Sequence, residues 1–110
     1  MAEIIWTEPA LGDLDAIADY IALENPGAAK AFVLRVLEHV GQLAEHPDSG
    51  SRPQELLRSH YRQIVESPCR VFYRHEGQRV YVLYVMRSEH LLRGSLLVSR
   101  THRTQGQRND

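Results

Sequence analysis

The feature of this sequence that most restricts its fold is an apolar run of seven residues, Val80-Tyr81-Val82-Leu83-Tyr84-Val85-Met86. A run of this length, rich in β-branched and aromatic residues, is typical of a β-strand. Because successive side chains of a strand point to opposite faces, both faces of this strand are apolar. We therefore expect it in the middle of a sheet that is covered on both sides.

Two more strand candidates precede this run. Tyr61–Glu66 and Arg70–His75 are separated by Ser67-Pro68, and Glu76-Gly77-Gln78 separates the second of them from Arg79–Met86. Short breaks of turn-forming residues between strand-like segments are typical of hairpins. The second half of the chain therefore predicts a three-stranded meander.

The first half has a helical period instead. A short apolar strand, Ile4-Ile5-Trp6, is followed by Thr7-Glu8-Pro9, which combines a capping residue, an acid and a proline suited to a helix start. Asn25-Pro26-Gly27 interrupts the pattern, so we expect helices near residues 8–23 and 26–46. So short a link makes the two helices an antiparallel hairpin. The expected core comprises Leu14, Ile17, Ile21, Phe32, Val36, Val40, Val71, Tyr73, Val82 and Tyr84.

This element order predicts an α+β fold: an N-terminal strand and an α-helical hairpin packed on a small antiparallel β-sheet. We expect a single domain over residues 1–100 and a polar C-terminal tail over residues 101–110. Four leucines before that tail, Leu91, Leu92, Leu96 and Leu97, are too apolar for a free end. They pack on the helical hairpin, or form part of a groove for a partner helix, or both.

Charge is distributed unevenly along the chain. Residues 1–50 carry nine acids against Lys30 and Arg35, whereas residues 51–110 carry eleven arginines, no lysine and five acids. The halves therefore sum to −7 and +6. Such an asymmetry indicates either an acidic partner for the basic half or mutual neutralisation within the fold. With no apolar run long enough for a membrane span, no signal-like N-terminus and a single cysteine, Cys69, we expect a cytoplasmic protein that does not bind membranes.

Several stretches, in this order, resemble the RelE/ParE toxin superfamily, on its ParE or plasmid-stabilisation branch. The N-terminal matches are Trp6-Thr7-Glu8-Pro9-Ala10, Asp13-Leu14, Ile17, Tyr20-Ile21, Asn25-Pro26, Ala28-Ala29, Leu43, Pro47, Gly50 and Arg52. The C-terminal matches are Tyr61-Arg62, Ile64-Val65, Cys69-Arg70-Val71-Phe72-Tyr73 and Val80-Tyr81-Val82-Leu83-Tyr84-Val85. The resemblance spans roughly residues 4–93.

The resemblance implies the toxin of a type II toxin–antitoxin pair. ParE-like members inhibit DNA gyrase, whereas RelE-like members are ribosome-dependent mRNA endonucleases. Both kinds are neutralised by a cognate antitoxin, such as a ParD-like protein, in a hetero-oligomer. Gyrase inhibition is our first hypothesis, the endonuclease is the alternative, and a degenerate member that only binds partners is a third. None of these activities requires a cofactor.

A nuclease of the RelE kind would need a cluster of basic side chains to stabilise charge on the scissile phosphate. Arg62 and Arg70 match two family positions for that role, and His90 lies where another arginine is usual. Alternatively, Arg62 and Arg70 are solvated strand arginines or partners of nearby acids. However, Ile64 stands where a second lysine is usual, and Glu89 lies where cations usually cluster. We therefore predict no catalytic residues, and the histidine spacings predict no metal site. For the antitoxin, we predict contacts at Leu91, Leu92, Leu96, Leu97, Arg70 and Arg74.

Overall fold

A computed structural model describes residues 1–90, Leu92 and residues 96–101 of the chain. Its strands are β1 (Glu3–Trp6), β2 (Tyr61–Glu66), β3 (Cys69–Glu76) and β4 (Arg79–Arg87), and its helices are α1 (Glu8–Ala22) and α2 (Pro26–Gly41). Single 3₁₀ turns cover Gln42–Ala44 and Gln54–Leu56, and residues 96–101 are helical. The α+β class is confirmed. Leu91 and all of the predicted tail except Thr101 lie outside the described residues.

Both helices begin where the sequence predicts. The Thr7 hydroxyl oxygen accepts a hydrogen bond from the Ala10 N–H (3.4 Å), and the Asn25 side-chain oxygen accepts one from the Ala28 N–H (3.0 Å). A proline lies in the first turn of each helix, where its missing N–H costs nothing. The second helix ends slightly earlier than predicted, because Gln42–Ala44 tightens into a 3₁₀ turn before Pro47.

The sheet has the strand order β1-β4-β3-β2. The β2–β3–β4 meander is antiparallel, as predicted, and β4 lies in the interior of the sheet. The pairing of β1 was not predicted: it runs parallel to β4, so the sheet is mixed. The α1–α2 hairpin provides the long crossover that a parallel connection requires.

Two clusters of buried side chains lie on opposite faces of this sheet, because β4 is apolar on both sides. The face under the helices, which we call the hairpin face, packs Leu14, Phe32, Val36 and Val40 of the helices against Ile64, Cys69, Val71, Tyr73, Val80, Val82 and Val85 of the strands. The other face, which we call the outer face, carries Phe72, Tyr81, Leu83 and Met86. A register shift at Phe72/Tyr73 places Leu83 and Tyr84 consecutively on the outer face.

The outer face is covered by the C-terminal segment, which we define as Leu92 and residues 96–101. Leu92 and Leu97 are 6% and 0% exposed and belong to the outer-face cluster. The expectation that these leucines pack on the helical hairpin is therefore wrong for these two side chains. The hairpin covers only one face of β4, and the apolar side chains on the other face require a separate cover.

Candidate functional site

A cleft of about 840 Å³ opens where β2 and β3 meet the loop before β2. Half of its ten lining residues are ionisable, two arginines, two acids and a histidine, and all but one of the others are uncharged polar residues: Ser51, Arg52, Gln54, Glu55, Leu57, Gln63, Arg70, Ser88, Glu89 and His90. We call it the arginine cleft, because Arg70 provides the most enclosed charge in it. The cleft is the candidate functional site.

Arg70 is held by four neighbours in the arginine cleft. Its two terminal nitrogens donate to both carboxylate oxygens of Glu55 (2.8 and 3.2 Å). They also donate to the Gln63 side-chain oxygen (3.2 Å) and the His90 carbonyl (3.0 Å). The guanidinium carbon lies 5.0 Å from the centre of the Phe72 ring. Only 13% of the Arg70 side chain is exposed, so this cation is fixed and largely satisfied within the chain.

The Glu55 carboxylate neutralises that cation. Its hydrogen bonds from Arg70 are the main reason that the pKa of Glu55 falls from 4.5 to about 2, against the opposing effect of burial. The Leu92 N–H also donates to it, at 3.1 Å. Glu55 is therefore ionised at neutral pH, and the Arg70 charge is already compensated before any phosphate approaches.

Arg62 points to the opposite face of the sheet. Its cross-strand partner is Tyr73, which belongs to the hairpin-face cluster, and cross-strand partners share a face. Arg70 stacks on Phe72 of the outer face. The Arg62 guanidinium donates to the Gly50 carbonyl at 2.8 Å and lies 3.6 Å from an Asp48 carboxylate oxygen. The two arginines that the sequence suggested for a nuclease are therefore not brought together.

The other positions considered for nuclease chemistry, His90, Ile64 and Glu89, also fail to form a basic cluster with Arg70. His90 reaches Arg70 through its main-chain carbonyl, with an exposed side chain at the rim of the cleft. Ile64 is buried in the hairpin-face cluster. Glu89 forms a 4.0 Å ion pair with Arg87. No second cation joins Arg70 in the interior of the arginine cleft among the described residues, since Arg52 is exposed.

The loop that forms one wall of the cleft is fixed by Tyr73. The Tyr73 hydroxyl donates to the Pro47 carbonyl (2.8 Å) and accepts from the Gly50 N–H (3.0 Å). Burial raises the pKa of Tyr73, so the hydroxyl keeps its proton. A Cβ atom on Gly50 would lie 2.6 Å from the Gln63 carbonyl oxygen, which explains why glycine is required there.

The residues predicted to bind an antitoxin share the outer face as far as the structure describes them. Arg70 and Arg74 stack on Phe72 and Tyr81 of that face, next to the buried Leu92 and Leu97. Leu96 is partly exposed, and Leu91 lies outside the described residues. Because Leu92 and Leu97 are covered, they offer no apolar surface to a partner while the C-terminal segment is in place.

Sequence reasoning missed Glu55 and Gln63, the side chains that hold Arg70. Glu55 lies in a loop, where no periodic pattern indicates which side chain it will meet. The opposed orientation of Arg62 and Arg70, however, had a usable signal. Ser67-Pro68 is a two-residue break, which pairs Glu66 with Cys69 and, counting back, Arg62 with Tyr73.

In the described part of the chain, neither a metal-binding cluster nor a reactive cysteine provides a further candidate site. These residues contain no group of three or more His, Cys, Asp or Glu side chains arranged to hold a metal. Cys69 is buried, and desolvation raises the pKa of its thiol to about 11. Within the same residues, no helix has the length and apolar character needed to cross a bilayer.

Comparison with known proteins gives consistent matches. The family model for the ParE toxin of the type II toxin–antitoxin system parDE matches residues 4–92. RelE2 toxin of Caulobacter vibrioides is 43% identical over 58 residues, which is 53% of this chain and 66% of that protein. The protein Y4kP of Sinorhizobium fredii is 37% identical over 83 residues, 76% of this chain and 84% of that protein. A chain from the chromosomal ParDE system of P. aeruginosa superposes with a TM-score of 0.69 and 30% identity, covering 81% of this chain and 98% of its own.

Proposed function

Since the chain belongs to the ParE toxin family of type II toxin–antitoxin systems, we propose that it is a cytoplasmic toxin that inhibits DNA gyrase and is held inactive by a cognate antitoxin. In this proposal the toxin acts by binding and performs no chemistry of its own. The observation that carries the choice of gyrase over mRNA is the separation of Arg62 from Arg70 on opposite faces of the sheet.

A metal-free ribonuclease needs several groups around one phosphate: a base, cations for the developing charge, and an acid for the leaving oxygen. Here Arg70 is compensated by Glu55, and Arg62 is used to hold the Gly50 carbonyl. Binding of a target protein places no such demand, because interface energy comes from a few anchoring side chains on a rigid surface. The arrangement therefore favours the binding mechanism.

Purified toxin incubated with gyrase, ATP and relaxed plasmid tests the proposal. We expect loss of supercoiling and accumulation of cleaved DNA–gyrase complexes after protein denaturation. Arg62→Lys and Arg70→Lys retain the positive charges and should poison gyrase within about threefold of the unchanged protein, because neither side chain performs chemistry in this proposal. A toxin that binds its antitoxin yet leaves gyrase unaffected at high concentration would refute the gyrase assignment.

For the antitoxin, we propose a contact on the outer face that uses Arg70, Arg74 and the leucines of the C-terminal segment. Arg70 and Arg74 are already paired with Glu55 and Glu76, so an acidic antitoxin segment would have to compete with these carboxylates for the two arginines. Its apolar side chains would first meet Leu96, which is partly exposed. Leu92 and Leu97 become available only if the C-terminal segment moves, because both are buried. A substitution of Leu97 would therefore alter folding as well as antitoxin binding. Leu96→Ser changes a partly exposed side chain, so its effect on binding can be measured in a folded protein.

The antitoxin contact is tested by the affinity of Leu96→Ser for the antitoxin, with Leu34→Ser as the matched control. Leu34 is 56% exposed and lies on α2, which covers the opposite face of the sheet. We expect Leu96→Ser to weaken binding by at least tenfold and Leu34→Ser to leave it unchanged. Equal affinities of the two variants would exclude Leu96 as an anchor.

A further inference from the structure

Among the described residues, the sheet has three stretches of main chain that no neighbouring strand covers. They are the outer edge of β2, the part of β4 that extends beyond β1, and the outer edge of β1. Exposed edges of this kind attract the extended backbone of other chains, and folded proteins usually protect them. The three stretches differ in how the rest of the chain protects them, and this difference indicates where a partner can bind.

The edge of β2 is occupied at its centre by the chain itself. Ser51 and Gln63 exchange two main-chain hydrogen bonds, from the Ser51 N–H (3.0 Å) and from the Gln63 N–H (2.7 Å). The Tyr61 N–H meets the Ser59 hydroxyl at 3.3 Å. By strand alternation, the main-chain groups of β2 that still point outward without a partner among the described residues are those of Val65, beside the β2–β3 turn, and the Tyr61 carbonyl. The Ser51–Gln63 pair separates these two positions, so they offer no continuous stretch for another strand to pair with.

The uncovered part of β4 is capped by an ion pair. The Val85 N–H donates to the Asp13 carboxylate at 3.1 Å, and Arg100 donates to the Leu83 carbonyl at 2.8 Å. Arg100 and Asp13 also pair with each other at 2.6 Å. These side chains take the hydrogen bonds that a longer β1 would have made.

At the outer edge of β1, no loop or side chain of residues 1–90, 92 or 96–101 caps the main chain in this way. In the parallel pairing, the Glu3 N–H donates to the Gln78 carbonyl and the Thr7 N–H to the Val82 carbonyl, so alternate residues face β4. The N–H and C=O groups of Ile4 and Trp6 therefore point away from the sheet. Within the described residues, neither residue has a main-chain partner on that side. Both side chains are partly buried on the hairpin face, which holds this edge rigid.

We propose that the outer edge of β1 binds an extended segment of the antitoxin, which adds a fifth strand to the sheet beside Ile4 and Trp6. Donors and acceptors that alternate along an extended backbone match another extended backbone, and this identifies the occupant as a strand. The site is short, because Ala2 already bonds to the Ala44 carbonyl at one end and α1 begins after Thr7 at the other. A segment of about three to five residues without proline fits it. The choice of the antitoxin as partner rests on the proposed function, whereas the open edge does not.

Amide hydrogen exchange tests this strand addition on the full chain, free and bound to the small protein encoded beside its gene as the antitoxin. In the free chain we expect fast exchange at Ile4 and Trp6 and slow exchange at Thr7, whose N–H is bonded to β4. In the complex, exchange at Ile4 and Trp6 should slow at least tenfold. Tight antitoxin binding with no slowing there would overturn the inference and leave the proposed function intact. Failure of the antitoxin to bind at all would contradict both.

A matched pair of variants adds a second readout. Ile4→Pro removes the outward N–H, whereas Ile4→Ala removes a comparable amount of side chain and keeps that N–H. Edge strands accept proline where the N–H faces solvent, so both variants should fold. We expect Ile4→Pro to bind the antitoxin at least tenfold more weakly than Ile4→Ala. Equal affinities would overturn the inference, as would concentration-dependent protection of Ile4 in the free chain, which would assign the edge to a second copy of the toxin.

Discussion

The two faces of the sheet are closed in different ways. The hairpin face is covered by two capped helices of 15 and 16 residues, whose apolar positions repeat with the helical period. The outer face is covered by a short segment with two buried leucines, Leu92 and Leu97, held by a few polar contacts. Those contacts include Glu55 with the Leu92 N–H, Arg100 with Asp13 and the Leu83 carbonyl, and Tyr61 with the Thr101 hydroxyl.

Because of this difference, we expect the cover of the hairpin face to unfold only with the whole domain and the cover of the outer face to be able to open locally. Helices that contribute many buried side chains unfold only with the domain, whereas a short element with few contacts can open by itself. The outer face also carries Arg70 and the arginine cleft, so the less firmly held cover lies beside the candidate site. Matched substitutions on the two faces test whether they differ in this respect.

The largest difference is expected between two equivalent leucine substitutions. Leu14 on the hairpin face is 5% exposed and Leu97 on the outer face is 0% exposed. Leu14→Ala should lower the free energy of unfolding by about 2–5 kcal/mol. Leu97→Ala should lower it by less, because the loss cannot exceed the free energy with which the C-terminal segment docks. Urea denaturation of both variants measures this, and equal losses would mean that the two faces unfold as one unit.

A smaller effect is expected from the ion pair that joins the C-terminal segment to α1. A double-mutant cycle on Asp13→Asn and Arg100→Gln should give a coupling free energy of about 1–3 kcal/mol, because their side chains are 20% and 13% exposed. Glu3 and Arg79 form the control pair, at 3.3 Å but with side chains 65% and 46% exposed. Their coupling should stay below about 1 kcal/mol. Indistinguishable couplings would remove Asp13–Arg100 as an attachment of the segment.

A pH-dependent contribution of roughly 1.5 kcal/mol is expected from Glu55, whose hydrogen bonds are charged but whose side chain remains 21% exposed. Its pKa is about 2 in the folded chain and 4.5 ordinarily, so its carboxylate stabilises the fold fully above pH 4.5. That stabilisation is lost as the pH falls from 4.5 towards 2. Unfolding measured across this range should show a steeper loss for the unchanged protein than for Glu55→Gln. Parallel curves would contradict the assigned role of Glu55.

The smallest effect concerns Cys69, which reports on opening of the hairpin face alone. The thiol is buried in that cluster, and its pKa is raised to about 11, so thiol reagents should label it very slowly at mildly alkaline pH. Leu14→Ala should accelerate labelling, whereas Leu97→Ala should leave the rate within about twofold of the unchanged protein. Acceleration by Leu97→Ala would show that loosening the outer face also opens the hairpin face.

The sequence predicted the hairpin face better than the outer face, for a physical reason. Helix starts at Thr7 and Asn25 are encoded locally by caps and prolines, and the meander by its turns. The parallel pairing of β1 with β4, by contrast, joins residues far apart in the chain. The run Val80–Met86 did indicate a second cover, but its short leucine-containing segment gave no periodic signal that would say where it packs.

The candidate site was predictable only in part. Arg70 and Arg74 are four residues apart in one strand, a spacing that places both side chains on one face, and there they stack on Phe72 and Tyr81. The compensation of Arg70 by Glu55 depends on how the loop before β2 folds back, which residue types alone do not reveal. Whether an arginine in the sequence is available to a partner therefore depends on the tertiary structure around it.

The proposed mechanism requires that this toxin does not cleave RNA, and one measurement tests that requirement directly. Ribosomes stalled on a defined mRNA are incubated with purified toxin, and primer extension maps any cuts at single-nucleotide resolution. Because Arg70 is compensated by Glu55 and Arg62 lies on the opposite face, we predict no toxin-dependent cuts at concentrations that poison gyrase. Codon-positioned cuts that disappear in Arg70→Ala would contradict the mechanism and identify the protein as a ribosome-dependent endonuclease.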